Sequence, residues 1–369
     1  MNIVTLAGGV GGAKLAQGLA LCHSERSEES PALPHEVPRG PAARNDTLTD
    51  RNDTLTVIVN TGDDFEWYGL YVCPDLDTVT YTLAGLANPQ TGWGVAGDTF
   101  EALGALRHLG AEAWFNIGDR DLATHVYRTS LLRLGRTLTE ATQTMTRALG
   151  IQATILPMTD DRFRTLVETD QGVLEFQEYF VRRQWQPLVN RIIFDGARTA
   201  QTTPQVMSAL QQADAIFIAP SNPFVSVEPI LTVLSKHLER SEAPSKSAHP
   251  STPASPRAAS AQDVFERPIA AVSPIIAGQA IKGPAAKMFR ELGVEPSAFA
   301  VARHYQGAVT HFVLDQLDAD QENAIQSLGM KTLVTNTIMQ SVEDRARLAA
   351  EVLAFVMRDA STGRLRTDT

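Results

Sequence analysis

Residues 60–67, Asn-Thr-Gly-Asp-Asp-Phe-Glu-Trp, mark the end of a predicted strand and indicate the class of fold. The Val-Ile-Val run at residues 57–59 predicts a buried strand of a parallel sheet, and the strand stops at a glycine and two aspartates. Ligands of open α/β sheets bind beyond the carboxyl ends of the strands. We therefore expect the functional site at this end of the strand.

The stretch is unusually acidic. Residues 60–78 hold five carboxylates and no lysine or arginine; the five are Asp63, Asp64, Glu66, Asp75 and Asp77. Carboxylates this close disfavour one another's ionisation unless a cation relieves the repulsion. Mg²⁺ binds one or two carboxylates together with phosphate oxygens and water, so the pattern indicates a Mg²⁺ site. The alternative is that the aspartates only cap helices and close turns, which accounts for one or two of them but not for five.

A second strand end lies near the start of the chain. Residues 3–7 predict an apolar strand, residues 8–14 follow as Gly-Gly-Val-Gly-Gly-Ala-Lys, and spaced leucines then predict a helix. Glycines let backbone amides approach an anion, and a helix amino terminus favours a phosphate. Lys14 stands where a dinucleotide fingerprint has its third glycine, and no Ser or Thr follows it to make a P-loop. The pattern favours a nucleotide phosphate over a ligand-free tight turn, without distinguishing NAD from ATP.

Three more predicted strands end in small, polar or glycine-rich turns, at Ile117, Ala219 and Val272. Residues 165–177 predict a β-hairpin in a smaller lobe of about residues 151–195. One site fed by five strand ends predicts an α/β fold with a mostly parallel sheet flanked by helices.

Helix starts are expected where short polar residues precede apolar periodicity. Asp77 is predicted to cap a helix over residues 78–84, and Asp98 a helix over residues 100–109. Thr203 is predicted to cap a helix that begins at Pro204. His125 is a candidate catalytic base, but a histidine on an apolar helix face more often packs in the core.

Two stretches, residues 23–54 and 236–267, are rich in Ser, Pro and charged residues and lack apolar periodicity. Such a composition cannot bury a core, so we expect two disordered, low-complexity insertions in a single domain of residues 1–369. Beyond Arg358 we expect a frayed tail.

Composition limits the class of partner. A net charge of -10 and a pI near 5.3 disfavour nucleic acid as a partner. No stretch is apolar for long enough to span a membrane, and a strand follows Met1 without a basic flank, so we expect a cytoplasmic protein without a signal peptide. The two cysteines give neither a metal spacing nor a disulfide framework. We also expect a homodimer.

Six motifs together resemble those of one family, the 2-phospho-L-lactate transferases of coenzyme F420 biosynthesis, whose bacterial members include phosphoenolpyruvate transferases. The motifs lie in family order and span nearly the whole chain outside the two insertions; they are residues 8–14, 60–64, 74–78, 118–125, 220–223 and 273–276.

The resemblance implies a Rossmann-like fold with an added lobe and a transfer without redox chemistry. A guanylylated donor, lactyl or enolpyruvyl diphosphoguanosine, would give its phosphoester to the ribityl hydroxyl of the deazaflavin Fo. GMP would leave, and F420-0 or dehydro-F420-0 would form. The motifs do not decide between the two donors.

The same resemblance assigns residues. Asp63 would ligate Mg²⁺, and Asp77 and Asn116 would contact Fo. A base, if one acts, would be sought first at Asp63 or Asp77. The guanine nucleotide and its phosphates would be held by Gly8, Gly9, Gly11, Gly12, Lys14, Ser221 and Asn222.

Two rival functions come from other classes of protein. A non-catalytic nucleotide-sugar-binding regulator of related fold would share the opening glycines, but we do not expect residues 74–78 or 118–125 in it. An NAD-dependent oxidoreductase rests on a partial glycine fingerprint alone.

Overall fold

A computed structural model describes residues 1–28, 54–241 and 267–363. The strands are, in chain order, β1 (Asn2–Ala7), β2 (Thr54–Val59), β3 (Phe65–Trp67), β4 (Leu70–Val72), β5 (Thr154–Pro157), β6 (Arg164–Thr169), β7 (Gly172–Glu175), β8 (Val189–Asp195), β9 (Ala215–Ile218), β10 (Ile269–Val272), β11 (Ile275–Ile276), β12 (Gln279–Ala280), β13 (His311–Asp315) and β14 (Lys331–Thr335).

The α-helices connect and flank these strands. They are α1 (Gly9–Glu28), α2 (Pro74–Leu83), α3 (Glu101–His108), α4 (Asp119–Arg133), α5 (Leu138–Ala148), α6 (Pro204–Gln212), α7 (Glu228–Ser241), α8 (Ala285–Glu291), α9 (Ala298–His304), α10 (Glu322–Gln326) and α11 (Val342–Gly363). Two π-helical turns, Glu178–Arg182 and Pro223–Val227, and a 3-10 turn, Gln316–Gln321, complete the helical segments of this part of the chain.

The central sheet has the strand order β14-β13-β10-β9-β1-β2-β5, and each neighbouring pair is parallel. After β1, the chain first adds β2 and β5 on one side of it. It then returns and adds β9, β10, β13 and β14 in turn on the other side of β1. The strand order therefore reverses between β1 and β9, which is the place where open α/β sheets bind their ligands.

Both faces of the sheet are buried, because side chains alternate between two core layers. On β1, Val4 and Leu6 face a layer that also holds residues of α6, α7, α8 and α9. Ile3 and Ala7 face the opposite layer, together with residues of α1, α2 and α11. Burial on both faces explains why the strands are almost wholly apolar, and the predicted α/β fold with a mostly parallel sheet is confirmed.

Most predicted strands are present, but the one over residues 114–117 is not. The prediction was wrong because Trp114 and Phe115 pack on Phe65 instead of pairing their backbone; the rings of Phe115 and Phe65 lie 4.8 Å apart, edge to face. Asn116 consequently lies in a loop, and four predicted strand ends remain instead of five.

The two aspartates that were predicted to cap helices behave differently. Helix α2 begins at Pro74, so Asp77 lies inside its first turn and is not its cap. Asp98 does not cap α3; it accepts hydrogen bonds from the amides of Arg120 and Asp121 at 2.8 and 3.1 Å, at the start of α4. Asp119, in α4, accepts two from the first turn of α3 at 3.0 Å. Asp98, which precedes α3, thus caps α4, and Asp119 of α4 caps α3.

The predicted hairpin is β6–β7, and it belongs to a three-stranded antiparallel sheet in the order β7-β6-β8. Strand β5, also within residues 151–195, joins the central sheet instead. Residues 29–53 and 242–266 of the predicted insertions lie outside the described residues, and residues 23–28 and 236–241 continue α1 and α7. Helix α11 continues past Arg358 to Gly363. Among the described helices, none combines the length and apolarity that crossing a membrane requires.

Candidate active site

The ends of β1 and β9 are joined by hydrogen bonds at the point where the strand order reverses. The hydroxyl of Ser221 accepts from the Gly8 amide at 3.2 Å and donates to the Gly8 carbonyl at 2.7 Å. Any side chain at Gly11 would overlap the carbonyl oxygen of Pro220, and one at Gly12 would approach Ser221 Oγ to 2.8 Å. These glycines therefore let the first turn of α1 lie directly against the segment that follows β9.

The end of β2 joins the same point through Asn60. Its side-chain amide lies 3.2 Å from Asp63 Oδ1, 2.9 Å from Asp75 Oδ2 and 3.2 Å from the Val225 carbonyl, donating to all three. The other oxygen of Asp75 accepts from the amide of Gly9 at 2.7 Å. Asn60, which follows β2 directly, thus holds two carboxylates beside the amino terminus of α1.

Three carboxyl groups of this cluster are buried, and burial makes them weak acids. It raises the pKa of Asp63 well above its usual range, and the charge of Asp75 adds to the effect. It also raises the pKa of Asp64 to about 8 and that of Asp75 to about 6. Negative charge here is therefore costly unless a cation compensates it.

Several oxygen atoms around this cluster have no hydrogen-bond partner among the described residues. The hydroxyls of Thr61 and Thr165 are buried in this state, and so are both carboxylate oxygens of Asp64 apart from an interaction with the thiol of Cys73. Thr165 lies against the cluster, because its amide donates to the carbonyl of Gly62 at 2.7 Å. Carboxylate and hydroxyl oxygens are the ligands that a hard cation prefers, so this set of donors suits Mg²⁺.

Asp77 lies in a different network, formed with helix α4. Its carboxylate accepts from both Nη1, at 3.2 Å, and Nη2 of Arg128, which is fully buried. His125 is also buried, with Nδ1 3.6 Å from Asp77 and Nε2 3.3 Å from Asp121, and the hydroxyl of Tyr81 donates to Asp121 at 2.7 Å. Burial lowers the pKa of Arg128, but the charge of Asp77 outweighs it and raises the pKa above its ordinary value. The Arg128–Asp77 pair therefore joins α2 to α4 as a buried ion pair.

Arg164 brings a second cation toward the cluster from the antiparallel sheet. It is 7% exposed, its Nη1 donates to the Phe163 carbonyl at 2.9 Å, and its guanidinium lies 5.5 Å from the centre of the Tyr71 ring. Its charge opposes the rise in the pKa of Asp64. Sequence reasoning missed both Arg128 and Arg164, because neither is close to the acidic stretch in the chain.

Asn116 is exposed and lies beside a group of aromatic rings. The ring of Trp114 stacks on Phe65 with centroids 6.0 Å apart, and the Arg182 guanidinium lies 6.0 Å from the centre of the Trp114 ring. Because Phe65 follows Asp64 directly, these rings connect the loop of Asn116 to the acidic cluster.

The remaining predicted nucleotide ligands are engaged locally. Lys14 donates to the Met339 carbonyl at 2.5 Å. The side-chain oxygen of Asn222 accepts from the Phe224 amide at 3.0 Å, and its nitrogen lies 3.4 Å from the sulfur of Met288. Ser221 is thus at the glycine-rich turn, whereas Asn222 caps the helical turn behind it.

Comparison with known proteins finds one family model and relatives that are named as transferases. The sequence matches the family model of 2-phospho-L-lactate transferase CofD over residues 3–338. A 2-phospho-L-lactate transferase of Methanopyrus kandleri is 38% identical over 312 residues, which cover 84% of this chain and 92% of the relative. A phosphoenolpyruvate transferase of Streptomyces avermitilis is 34% identical over 361 residues, which cover 96% of this chain and 98% of the relative.

Solved structures give a more distant likeness. The crystal structure of protein BH3568 from Bacillus halodurans superposes with a TM-score of 0.53 and 14% sequence identity, over 95% of this chain and 99% of that one. At this identity the likeness concerns the fold alone.

Proposed function

The chain belongs to the 2-phospho-L-lactate transferase CofD family, and from this premise we propose that it transfers a phospholactyl or phosphoenolpyruvyl group from a diphosphoguanosine donor to the deazaflavin Fo. The family places the chain among the transferases of coenzyme F420 biosynthesis. The choice of donor, the Fo acceptor and the release of GMP are parts of the proposal.

One observation carries the proposal: a glycine-rich helix start and a buried acidic cluster meet at the reversal point of the sheet, joined through Asn60, Asp75 and Gly9. The Gly9 amide already donates to Asp75, but the following amides in the first turn of α1 have no intrahelical acceptors, and the dipole of the helix favours an anion there. A phosphate held by these amides would lie beside carboxylates that suit a divalent cation. Transfer of a phosphoester from a diphosphate to a hydroxyl is favoured by this juxtaposition, because the charge on the leaving phosphate is stabilised.

The proposed reaction is a displacement at phosphorus. The oxygen of the Fo ribityl hydroxyl forms a bond to the phosphorus that carries the lactyl or enolpyruvyl group. The bond from that phosphorus to the bridging oxygen breaks, GMP leaves with the bridging oxygen and its electron pair, and the hydroxyl proton is released. The chain contributes by holding the two reactants in line and by stabilising the leaving phosphate.

The contacts support the following proposed roles within the site. Asp63, held by Asn60, would bind Mg²⁺ with help from Asp64 or Asp75, and the cation would neutralise charge on the phosphates. Gly8, Gly9, Gly11 and Gly12, with Ser221, would shape the phosphate-binding turn. Asp63 and Asp77 stay the candidate bases.

The acceptor would bind on the side of the aromatic rings. Fo has a flat and largely apolar ring system, which suits a pocket of aromatic walls and few polar groups. Trp114 and Phe115 supply such walls beside the exposed Asn116. Asp77 is the second proposed acceptor contact, although both of its oxygens are bound by Arg128 in this structure.

The direct test is an assay with each donor. The purified chain, Fo and Mg²⁺ should release GMP and give a product whose mass identifies either F420-0 or dehydro-F420-0. GDP in place of the donor is the control for contaminating hydrolysis. Tight donor binding without GMP release would instead support the nucleotide-sugar-binding regulator as the function.

Binding of Mg²⁺ should strengthen as pH rises. The folded-state pKa values of Asp64 and Asp75, about 8 and about 6, lie above the ordinary aspartate value near 3.8, so the folded chain binds more protons than the unfolded chain between these limits. Without metal, stability should therefore fall as pH rises from about 4 to about 8. Mg²⁺ competes with these protons, and we expect a larger thermal shift on adding Mg²⁺ at pH 8 than at pH 6.

Thermal denaturation at both pH values, with Mg²⁺ or with the same ionic strength of NaCl, measures this difference. An equal or smaller Mg²⁺ shift at pH 8 would contradict the assignment of the cluster as a cation site.

A further inference from the structure

Three cationic side chains lie along one side of helix α1, apart from the carboxylate cluster. Lys14 belongs to α1, Lys282 follows β12, and Arg345 lies in the first turn of α11. We call these three residues the α1 cation strip. Of the three, only Lys14 belongs to a motif used above.

Lys282 lies beside the first turn of α1. Its Nζ donates to the carbonyl of Thr91 at 2.6 Å. A side chain at the neighbouring Gly92 would have its first carbon 3.2 Å from Lys282 Nζ and 2.6 Å from Val10 Cγ1. The ammonium group therefore lies close to Val10, whose amide belongs to the turn that is proposed to hold phosphate.

The other two members continue along the same side of the helix. Val10, Lys14 and Gln17 are spaced by four and three residues, so they lie above one another on α1. Arg345 donates to Gln17 through Nη1. Burial, followed by the charges of Arg345 and Lys282, lowers the pKa of Lys14, so the three cations act on one another.

The strip has no internal counter-charge. Among the described residues, no carboxylate lies within 4 Å of its nitrogens, although the whole sequence holds 42 acidic and 32 basic residues. The charge of Asp344 reaches Lys14, but that carboxylate is bound to the amides of Gln340 and Ser341 at 3.0 and 2.9 Å. Nε of Arg345 is buried without a hydrogen-bond partner.

We propose that the α1 cation strip is an anion subsite, in which Lys282 contacts a phosphate group of the nucleotide donor. This rests on the proposed function, which supplies a diphosphate at the first turn of α1. A lysine ammonium has three donors, and Thr91 uses one of those of Lys282, so two remain for a ligand. Ammonium and guanidinium groups are the usual partners of phosphate oxygens. The strip thus lengthens the phosphate site from the helix terminus along the helix side.

The test compares Lys282→Gln with the wild-type chain and with Lys331→Gln. Lys282 and Lys331 are both exposed. Lys331 is the first residue of β14, the edge strand of the central sheet, so Lys331→Gln removes the same charge away from the first turn of α1. Calorimetric titration with GDP in Mg²⁺, and separately with inorganic pyrophosphate, measures the two affinities. We expect Lys282→Gln to weaken both by about 10- to 100-fold, as loss of a charge-assisted hydrogen bond implies. Lys282→Arg should retain most of the affinity, and Lys331→Gln all of it.

The two ligands separate this subsite from the proposed function. Wild-type affinity in Lys282→Gln, or an equal loss in Lys331→Gln, would overturn the subsite and leave the transferase proposal intact. The chain could instead bind pyrophosphate in a way that depends on Lys282 and fail to bind GDP. That result would support the subsite and contradict the proposal that the donor is a guanine nucleotide. Failure of the wild-type chain to bind either ligand would contradict both.

Discussion

Replacing Asp63 by asparagine should lower turnover by about a thousandfold while the chain stays folded. The loss corresponds to about 4 kcal/mol in the activation barrier, the scale of Lewis-acid stabilisation of phosphoryl charge. Asparagine keeps the size of the side chain and an oxygen that accepts from Asn60, but it removes the charge that attracts a hard cation. Steady-state rates over a range of Mg²⁺ concentrations measure the effect.

Stability separates this role from a structural one. Asp63 is buried next to Asp75, and both have raised pKa values, so removing one charge should leave the metal-free protein as stable as before or more stable. An aspartate that only closed a turn would instead lose about 1 kcal/mol of stability and keep nearly normal turnover. Glu66→Gln is the matched control, because Glu66 is exposed in the same stretch and should tolerate the loss of its charge. A folded Asp63→Asn enzyme with wild-type rate and Mg²⁺ dependence would contradict the metal assignment.

Of the substitutions proposed here, breaking the Arg128–Asp77 ion pair should lower the free energy of unfolding the most. Arg128→Met leaves the carboxylate of Asp77 buried without its partner, which costs about 3–5 kcal/mol in the free energy of unfolding. The double variant Asp77→Leu with Arg128→Met removes both charges and should recover a large part of that loss, since apolar pairs often replace buried ion pairs without penalty. Denaturant unfolding of the two variants and the wild-type chain measures the difference.

The double variant also tests the proposed acceptor contact. If Asp77 binds Fo, the double variant should bind Fo at least tenfold more weakly than the wild-type chain, because it loses a hydrogen bond to a charged group. Its affinity for GDP should stay normal. Fluorescence titration of Fo is the measurement. Normal Fo affinity in a stable double variant would remove Asp77 from the acceptor site and leave it only the ion pair with α4.

The sequence predicted the parts of the site that are local in the chain. The apolar run of β2 followed by residues 60–64, and the glycines after β1, each carry their structural meaning within a few residues. The apolar run at residues 57–59 also predicted a buried strand of a parallel sheet, and the two core layers confirm this burial.

Other features depended on contacts between distant residues, which no local pattern reports. Arg128 pairs with Asp77 across 51 positions, and Arg164 reaches the cluster from another sheet. The exchanged caps of α3 and α4 misled the assignment of Asp98, because an N-cap aspartate looks the same in sequence whichever helix it serves. The loop at residues 114–117 has the composition of a strand, and only its packing on Phe65 decides otherwise.

The hydrogen bonds between Gly8 and Ser221 determine when, during synthesis on the ribosome, this part of the site can form. They join residues 213 positions apart, and β1 needs β9 on one side as well as β2 on the other. At a synthesis rate of roughly 5–20 residues per second, the ribosome needs about 10–40 s between these two residues. Once residue 78 has been made, the growing chain carries its acidic stretch and its glycine-rich turn for the rest of that interval without the segment that follows β9. A chain released before Pro220 therefore lacks Ser221 and cannot complete the proposed phosphate site, even if residues 60–78 have already folded.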